Sequence, residues 1–253
     1  MKIIAVVNQK GGVGKTTISV NLVYSLSQIG SCLYVDLDKQ ASGTSHMFGH
    51  CDFDQGVFEV LASEGEISLK SVAQFPKKWP NIAVIPGDLR MLEIENIVKK
   101  FVSAENILKE AIADAGPVFD YVVIDTPADL GFITRSALLC ATHYLIVSDT
   151  SDYARTSIHN TKALVKSVTR RANKSLKPIG VLLNGTRKTH TDAVKNAIAK
   201  MSSENSNLLD IRVPDSVDVA KSQDELLPLS LISPSGRASK AVKRLATLIQ
   251  DNP

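Results

Sequence analysis

The sequence predicts an α/β fold in which helices cover both faces of a doubly wound, mostly parallel β-sheet. Three observations predict it: short apolar runs of strand length recur along the chain, segments long enough for crossover helices separate them, and a glycine-rich turn follows the first run. The 253 residues, of which 44% are hydrophobic, suffice for one sizeable core and do not require a second domain. We therefore expect one domain over residues 1–253.

The first predicted unit is a strand, a glycine-rich loop and a helix. Residues 2–8 form a β-branched run that ends in the loop, and residues 16–29 follow with apolar side chains at helical spacing. Residues 43–80 are predicted to form only short helices and loops. Short buried strands and helix segments have similar patterns, so the number of strands stays open by one or two. Further strands are predicted at residues 32–36, 82–86, 121–125, 144–147 and 179–183.

Hydropathy and cysteine content narrow the class of protein. Apolar runs such as residues 3–7 and 121–124 are far shorter than the roughly 20 residues that span a bilayer, and the N-terminal sequence lacks a signal-peptide pattern. We expect a soluble, cytoplasmic protein. Cys32, Cys51 and Cys140 are widely spaced and form no CxxC pair, so neither a disulfide framework nor a zinc site is indicated.

Charge is divided unevenly along the chain, although the net charge is only +3. Residues 1–152 contain 12 Lys and Arg against 18 Asp and Glu, whereas residues 153–253 contain 17 against 8. Residues 153–191 contain nine basic residues and no acid. Because a solvated surface normally mixes the two signs, the C-terminal part is a candidate surface for binding a polyanion.

The most informative segment is residues 10–17, Lys-Gly-Gly-Val-Gly-Lys-Thr-Thr, between the first strand and the first helix. Glycines let the backbone curl so that successive N–H groups converge on phosphate oxygens at a helix N-terminus. Lys15 would reach the β- and γ-phosphates, and the Thr16 hydroxyl would bind Mg²⁺. Gln9 stands where an ordinary P-loop has its first glycine. A glycine-rich turn without a ligand is the alternative, which the Gly-Lys-Thr-Thr sequence in this context disfavours.

This segment resembles the deviant Walker A box of the ParA/MinD superfamily of P-loop ATPases. In that family two subunits enclose two ATP molecules, so the resemblance implies an ATPase that uses ATP and Mg²⁺ and forms a homodimer when ATP is bound. It also implies that Lys10 reaches the partner subunit's nucleotide while Lys15 holds the phosphates of its own. Both are candidate catalytic residues, because two cations at one phosphoryl group offset charge in the transition state. The nucleotide contacts implied by the box are Lys10, Gly11, Gly12, Val13, Gly14, Lys15, Thr16 and Thr17.

Two acidic segments resemble further motifs of the family. Residues 36–40, Asp-Leu-Asp-Lys-Gln, are similar to the switch segment Asp-x-Asp-Pro-Gln, whose second acid, here Asp38, orients the attacking water and supports Mg²⁺. Lys39 replaces the proline that would fix φ, so the mobility of the switch is expected to differ. Residues 122–127 resemble the Walker B segment, in which Asp125 would hold Mg²⁺ through water. The candidate metal site is thus Thr16, Asp38 and Asp125.

The resemblance also supplies candidate contacts for the rest of the nucleotide. Asn184 ends a run that resembles the strand presenting an adenine-facing asparagine, and Pro214 and Asp215 match the segment that lines the base. The alternative for Asn184 is an ordinary turn residue. Asp152 stands where the family often has an acid near the partner's nucleotide.

Other branches of the superfamily share the same loop. An iron-protein reductase would need cysteine thiolates to hold a cluster between subunits, and neither Cys51 nor Cys140 lies in a convincing ligand setting. A MinD-like membrane-associated ATPase would need a terminal amphipathic helix, and residues 235–250 do place Leu245 and Ile249 on one apolar face. That face is rich in alanine and lacks Phe and Trp, which suits packing against a sheet better than insertion into lipid. Membrane association is the alternative function.

The preferred prediction is nonspecific binding to DNA. Lys162, Lys166 and Arg170 recur at four-residue spacing, which places them on one helix face where they would contact phosphates without reading bases. Many family members carry arginines near residues 213–223, where Asp215 and Asp218 stand here, so we expect the DNA surface to be shifted. The candidate DNA contacts are Lys162, Lys166, Arg170, Arg171, Lys240, Lys243 and Arg244.

The resemblance implies one functional cycle. ATP closes a sandwich dimer, the dimer presents a basic surface to the DNA of the nucleoid, and slow hydrolysis releases it. A ParB-type or other adaptor protein would stimulate hydrolysis and supply the cargo, which is a plasmid, a chromosome or a protein assembly.

Overall fold

A seven-stranded parallel sheet forms the centre of the structure, a computed structural model that describes residues 1–151, 153–186 and 192–251. The strand order is β3-β2-β4-β1-β5-β6-β7, and each neighbouring pair is parallel. The predicted mostly parallel sheet is therefore confirmed. The strands are β1 (Lys2–Val7), β2 (Cys32–Asp36), β3 (Ile82–Ile85), β4 (Tyr121–Asp125), β5 (His143–Ser148), β6 (Lys177–Thr186) and β7 (Leu208–Pro214).

The central strands are buried along nearly their whole length. Parallel strands that are covered on both faces contain continuous apolar runs, which is why the sequence predicts them well. The predicted runs 32–36 and 121–125 coincide with β2 and β4. Strands β3 and β5 differ from prediction by a single residue at one or both ends, and β6 extends further, to Lys177–Thr186.

Strand β7 is the element that the sequence did not predict. It lies at the edge of the sheet, where Ile211 and Val213 are buried while Asp210 is exposed and Arg212 is half-buried. Asp210 and Arg212 interrupt the apolar pattern of β7, whereas the other edge strand, β3, has four buried residues and a continuous apolar run.

Helices connect the strands and lie on both faces of the sheet, as predicted. The predicted helix 16–29 corresponds to α1, and the segment 43–80 contains the three short helices α2, α3 and α4. The helices are α1 (Lys15–Ser27), α2 (Ser42–Phe48), α3 (Val57–Ala62), α4 (Leu69–Val72), α5 (Ile94–Val98), α6 (Ile107–Asp114), α7 (Phe132–Cys140), α8 (Ala154–Arg171), α9 (Asp192–Glu204), α10 (Val217–Asp224), α11 (Leu229–Ile232) and α12 (Arg237–Asp251).

Among the described residues, two large apolar cores lie on the two faces of the sheet, and a smaller cluster includes residues of α9. Helices α3 to α8 pack on one face of the sheet, and α1, α2, α11 and α12 pack on the other. In α12 the apolar residues Val242, Leu245 and Ile249 are buried, so the apolar face of the terminal helix packs toward α1 and β7. Within the described part of the chain, no helix combines the length and the apolar character needed to cross a membrane.

The carboxyl ends of the parallel strands all lie at one edge of the sheet. Strand β1 lies between β4 and β5 in the sheet. The chain passes from β1 to β2, on the β4 side of β1, and later enters β5 on the opposite side. The loops that follow β1, β4 and β5 therefore meet at this edge. Open α/β sheets bind ligands at such a point, where the order of strands reverses. The glycine-rich loop, Asp125 and the loop after β5 therefore share one location.

Candidate active site

The glycine-rich loop joins β1 to α1 and is folded as the motif predicts. Gly12 and Gly14 have φ values of 75° and 88°, in the left-handed region that favours glycine. A Cβ atom on Gly14 would clash with the side-chain amide of Asn184, and the positive φ would strain any other residue at this position. The loop ends at the N-terminus of α1, where Lys15 is the first helical residue. Helix N-termini of this kind favour anions.

Asn8, which lies outside the predicted site, anchors the loop. Its side-chain amide donates to the Val147 carbonyl of β5 at 2.7 Å, and its Oδ1 accepts from the Lys10 N–H at 3.1 Å. Thr161 of α8 accepts from the Gln9 N–H at 3.3 Å. These bonds tie the start of the loop to two elements that are distant in sequence, which is why the sequence did not identify them.

Lys15 is the most buried cation at the site, with 6% of its surface exposed. Its Nζ lies 3.5 Å from the Lys10 carbonyl oxygen, a long contact for an ammonium. Burial lowers the pKa of Lys15, and the charges of Asp125 and Asp38 oppose this effect. The ammonium therefore lies in a negative environment but has weak hydrogen bonding of its own.

Asp125 is completely buried at the end of β4. It accepts hydrogen bonds from Ser19 Oγ at 3.0 Å and from the Tyr34 hydroxyl at 3.1 Å. Burial raises the pKa of Asp125, although a hydrogen bond with Thr16 and the charge of Lys15 act in the opposite direction. The predicted proximity of Thr16 to the Walker B aspartate is thus present.

The switch segment depends on Asp36, the acid to which the sequence assigned no role. Asp36 is fully buried and accepts from both the backbone N–H and the hydroxyl of Thr44, at 2.9 and 2.8 Å. The Asp38 N–H also donates to Asp36, at 3.2 Å. Burial, followed by the nearby Asp125 charge, raises the pKa of Asp36. Asp36 therefore positions both Asp38 and helix α2.

Asp38 is half-buried and lies on the open side of this arrangement. Its Oδ1 accepts from the Gln40 N–H at 3.0 Å, and Lys39 between them is exposed. Asp38, Thr16 and Asp125 offer carboxylate and hydroxyl oxygens, the ligands that Mg²⁺ prefers. The residues present therefore fit a magnesium ion, whose presence would add positive charge beside bound phosphates.

A cleft of about 950 Å³ lies over the loop, and we call it the P-loop cleft. Its volume is within the range of small-molecule sites. Ala128, the residue after the Walker B segment, lies 3.7 Å from the position of a Cβ on Gly11. The lining residues include Gly11, Lys15, Thr16, Asp38, Ala128 and Gln223.

Lys10 is held within its own subunit. Its ammonium forms an ion pair with Asp149 and donates to Ser151 Oγ at 2.6 Å, with 26% of the Lys10 side chain exposed. Burial would raise the pKa of Asp149, but the hydrogen bonds from Lys10 and Ser151 outweigh it and the pKa is lowered. Asp149 was not predicted, because it becomes a neighbour of Lys10 only through the pairing of β1 with β5.

The predicted base-contacting residues are placed as follows. Asn184 of β6 donates its amide to the Val13 carbonyl at 2.9 Å and so supports the P-loop. Pro214 is buried at the end of β7, and Asp215 is exposed, its N–H donating to the Thr186 carbonyl at 3.0 Å. Asp152 lies outside the described residues. Contact of these residues with adenine stays a prediction.

Lys162 differs from the expectation of a free surface cation. Its ammonium donates to the side-chain oxygens of Asn205 and Asn207 at 2.7 and 2.8 Å, and burial lowers its pKa. Lys162 therefore fastens α8 to the segment before β7. The other predicted DNA contacts are all exposed: Lys166, Arg170 and Arg171 on α8, and Lys240, Lys243 and Arg244 on α12.

Comparison with known proteins identifies the family. The AAA domain family AAA_31 matches residues 1–178, and the sporulation initiation inhibitor protein Soj of Bacillus subtilis is 30% identical over 260 residues, covering 99% of each chain. The chain belongs to this AAA domain family. A ParA family protein of Chlamydia pneumoniae is also similar, with 28% identity over 262 residues, 99% of this chain and 100% of that protein.

Solved structures agree on the fold. The septum site-determining protein MinD of Pyrococcus horikoshii, complexed with Mg-ADP, has a TM-score of 0.78 and 22% identity, covering 99% of this chain and 96% of that one. The predicted resemblance to the ParA/MinD family and the predicted ATPase class are confirmed. This AAA-domain protein is a ParA/MinD-type ATPase, and the nucleotide and magnesium of its fold neighbour agree with the predicted cofactors.

Proposed function

We propose that this ATPase is a slow, ATP-driven switch that dimerises on binding ATP, binds DNA nonspecifically and positions a plasmid, a chromosome or a protein assembly. The observation that carries the proposal is the buried Lys15 ammonium. Among the described residues its one hydrogen-bond acceptor is the Lys10 carbonyl, 3.5 Å away. A buried cation with so little hydrogen bonding gains most from an anion with several oxygens, and the phosphates of ATP supply them.

In this proposal, different residues in and beside the P-loop cleft bind the phosphates, hold Mg²⁺ and orient the attacking water. Lys15 and the loop N–H groups bind the phosphates. Thr16, Asp38 and Asp125 hold Mg²⁺, which supplies charge that offsets the phosphate oxygens when bound. Asp38 also orients the attacking water, because it is the carboxylate of this group that is half-buried and open to the cleft.

Dimerisation is the role proposed for Lys10. Its side chain lies at the rim of the site and is held by Asp149 and Ser151 rather than by the rest of the P-loop. Release from these two residues frees an ammonium that reaches the partner subunit's nucleotide. The ATP-bound homodimer thereby contains two sites, each completed by the other subunit.

The proposed DNA surface consists of exposed cations on α8 and α12. Lys166, Arg170 and Arg171 on α8 have no ion-pair partner among the described residues, and the same is true of the basic residues of α12. Lys162 is left out of this set because two asparagines already satisfy its ammonium. The proposed setting is the cytoplasm, on nucleoid DNA, with a ParB-type or other adaptor protein stimulating hydrolysis.

Fluorescence anisotropy with a labelled random-sequence duplex tests the proposal. Binding is expected with ATP and Mg²⁺ but not with ADP, and affinity should fall steeply between about 50 and 200 mM salt, because phosphate contacts release counterions. Light scattering on the same samples should record the dimer only with ATP. Wild-type protein that dimerises with ATP and yet leaves the duplex unbound at low salt would contradict the DNA part of the proposal.

Membrane association is the alternative, and the packing of α12 disfavours it. Leu245 and Ile249 are 0% and 1% exposed, so the apolar face needed for insertion into lipid is already used in the core. Sedimentation with anionic liposomes in the presence of ATP tests this alternative. Cosedimentation without DNA binding would favour the membrane function.

A further inference from the structure

An apolar groove of about 580 Å³ lies at the amino ends of β2 and β3, the opposite end of these strands from the P-loop cleft. We call it the Phe75 groove, because Phe75 lines it and is 73% exposed. A smaller apolar pocket of about 170 Å³ shares Phe75, Val118 and Phe119 with the groove and continues the same surface. Val118 is also exposed. Adjacent apolar side chains that stay exposed in this way are typical of interaction sites.

The backbone around Phe75 is fixed by the fold. The Gln74 N–H donates to the Val84 carbonyl of β3, and the Val84 N–H donates to the Gln74 carbonyl, both at 2.8 Å. Trp79, which also lines the groove, is 1% exposed and packs edge-on against the ring of Tyr24. The exposed Phe75 therefore lies between two anchored residues. A partner that binds here pays little for ordering the surface.

The polar groups of the Phe75 groove favour an acidic partner. Among the described residues, the linings of the groove and the smaller pocket contain two lysines, Lys70 and Lys77, and no acid. Both lysines are exposed, and neither forms an ion pair in the described part of the chain. The neighbouring Asp120 already accepts from the N–H and the hydroxyl of Ser31, at 2.8 and 3.0 Å. The indole N–H of Trp79 is buried without an acceptor among the described residues, so an acceptor on the partner would stabilise it.

The edge of the sheet beside the groove indicates which backbone conformation the partner has. Strand β3 is an edge strand, and Gln74 occupies its free side at Val84 through an antiparallel bridge. An added strand would have to displace this bridge. A helix satisfies its own backbone hydrogen bonds and presents apolar side chains on one face, so a helix suits the groove better than a strand does.

We infer that the Phe75 groove binds an acidic amphipathic helix of a partner protein. The apolar face of that helix packs on Phe75, Val118 and Phe119, and its carboxylates lie beside Lys70 and Lys77. This inference goes beyond the proposed function, because the groove takes no part in binding nucleotide or DNA. The five residues of β2 separate it from the P-loop end of the sheet by about 16 Å. The partner and ATP therefore bind at the same time.

Trp79 is the single tryptophan of the chain, so its fluorescence reports whether the groove is occupied. The probes are synthetic helical peptides without tryptophan, each with leucine or phenylalanine on one face and aspartate or glutamate beside them. Titration into the full chain should change the Trp79 emission to a plateau, with the same midpoint in the presence and absence of ATP. Reference peptides with lysine in place of the acids, or serine in place of the apolar residues, should bind at least about 10-fold more weakly.

Variants of the chain locate the binding site. Phe75→Ser removes the exposed ring, and Lys70→Glu with Lys77→Glu reverses the charge of the groove. Each should weaken binding of the acidic peptides by at least about 10-fold. Far-UV circular dichroism verifies folding, and ATP affinity should stay that of wild type. The matched controls change exposed residues outside the groove and should alter binding by less than about twofold: Val102→Ser, and Lys99→Glu with Lys100→Glu.

Three outcomes would overturn the inference and leave the proposed function standing. In the first, the acidic peptides bind no more tightly than the reference peptides, or bind the Phe75→Ser variant as tightly as wild type. In the second, vesicles of phosphatidylcholine with phosphatidylglycerol change the Trp79 emission and the peptides do not, which assigns the surface to lipid. In the third, light scattering detects a dimer without ATP that Phe75→Ser abolishes, which assigns the groove to a second copy of this chain.

Discussion

The surroundings of the P-loop cleft and the exposed basic face of α12 hold their charged groups in different ways. Beside the P-loop cleft two acids are buried and connected: Asp36 accepts from Thr44, and Asp125 accepts from Ser19 and Tyr34. On α12, Arg237, Lys240 and Arg244 are exposed and take part in no ion pair among the described residues.

The difference in burial explains how specific each region can be for its ligand. A buried charge needs partners to offset desolvation, so its position is fixed and it can act on one defined atom. Exposed charges keep their water, adjust their positions and act additively, which suits a ligand without sequence preference. Substitutions around the P-loop cleft should therefore have large and specific effects, and those on the basic face of α12 small and cumulative ones.

The largest expected effect is on hydrolysis. Asp38→Ala should bind ATP and form the dimer but hydrolyse ATP about 10²-fold or more slowly, because the water loses the carboxylate that orients it. Single-turnover phosphate release measures the rate, with Asp251→Ala, an exposed acid on α12, as the control. A rate for Asp38→Ala close to that of the control would remove Asp38 from the chemistry.

Nucleotide affinity should change next most. Lys15→Ala removes the buried ammonium and its charge-assisted hydrogen bonds to phosphate, worth about 1.5–3 kcal/mol each, so ATP affinity should fall about 10- to 100-fold. Isothermal titration calorimetry measures it, and Lys109→Ala, exposed on α6, should bind ATP like wild type. Equal affinities of the two variants would mean that the P-loop assignment is incorrect.

The free energy of unfolding tests the comparison between buried, connected charges and exposed charges directly. Thr44→Val removes the 2.8 Å hydrogen bond to the buried Asp36 carboxylate, so the free energy of unfolding should fall by about 1.5–3 kcal/mol. Lys243→Gln, at an exposed position of α12, should change it by less than about 0.5 kcal/mol. Urea denaturation compares the two variants. Similar losses from both would erase the distinction between buried, connected charges and exposed ones.

The smallest expected effect is on the ATP concentration needed for dimerisation, and it concerns Lys10. Asp149→Asn weakens the ion pair that holds Lys10 in its own subunit, a pair of a kind worth about 0.2–1 kcal/mol. Half-maximal dimerisation should then need about two- to fivefold less ATP, measured by light scattering. Asp114→Asn, an exposed acid on α6, is the matched control. A higher ATP requirement for Asp149→Asn would indicate that Asp149 supports the dimer.

The sequence predicts elements well where a local pattern specifies the structure. The P-loop, β2 and β4 were found because a glycine-rich loop and continuous apolar runs are local signals. Strand β7 was missed because Asp210 and Arg212 interrupt its apolar pattern. The partners Asn8, Thr44 and Asp149 were missed for a different reason: each contacts the site through tertiary packing and has no motif of its own.

The surface cations show the same limit. Helical spacing grouped Lys162 with Lys166 and Arg170, but spacing does not reveal what lies opposite a residue in the fold. Asn205 and Asn207 approach Lys162 from a segment more than 40 residues away, as the separations of 43 and 45 record. Charge counts can therefore locate a basic region, whereas the fold decides which of its residues are free.

Strand β6 connects the P-loop at close range to a second cleft, which lies between β7 and α12. Asn184 donates a hydrogen bond to the Val13 carbonyl of the P-loop, and Thr186, two residues along, lines the second cleft. The pairing with β7 changes register between these two residues, and such irregularities redirect side chains. Two residues of a strand cover about 7 Å. The P-loop and the cleft between β7 and α12 are therefore joined by one short stretch of a single strand, with neither a hinge nor a separate domain between them.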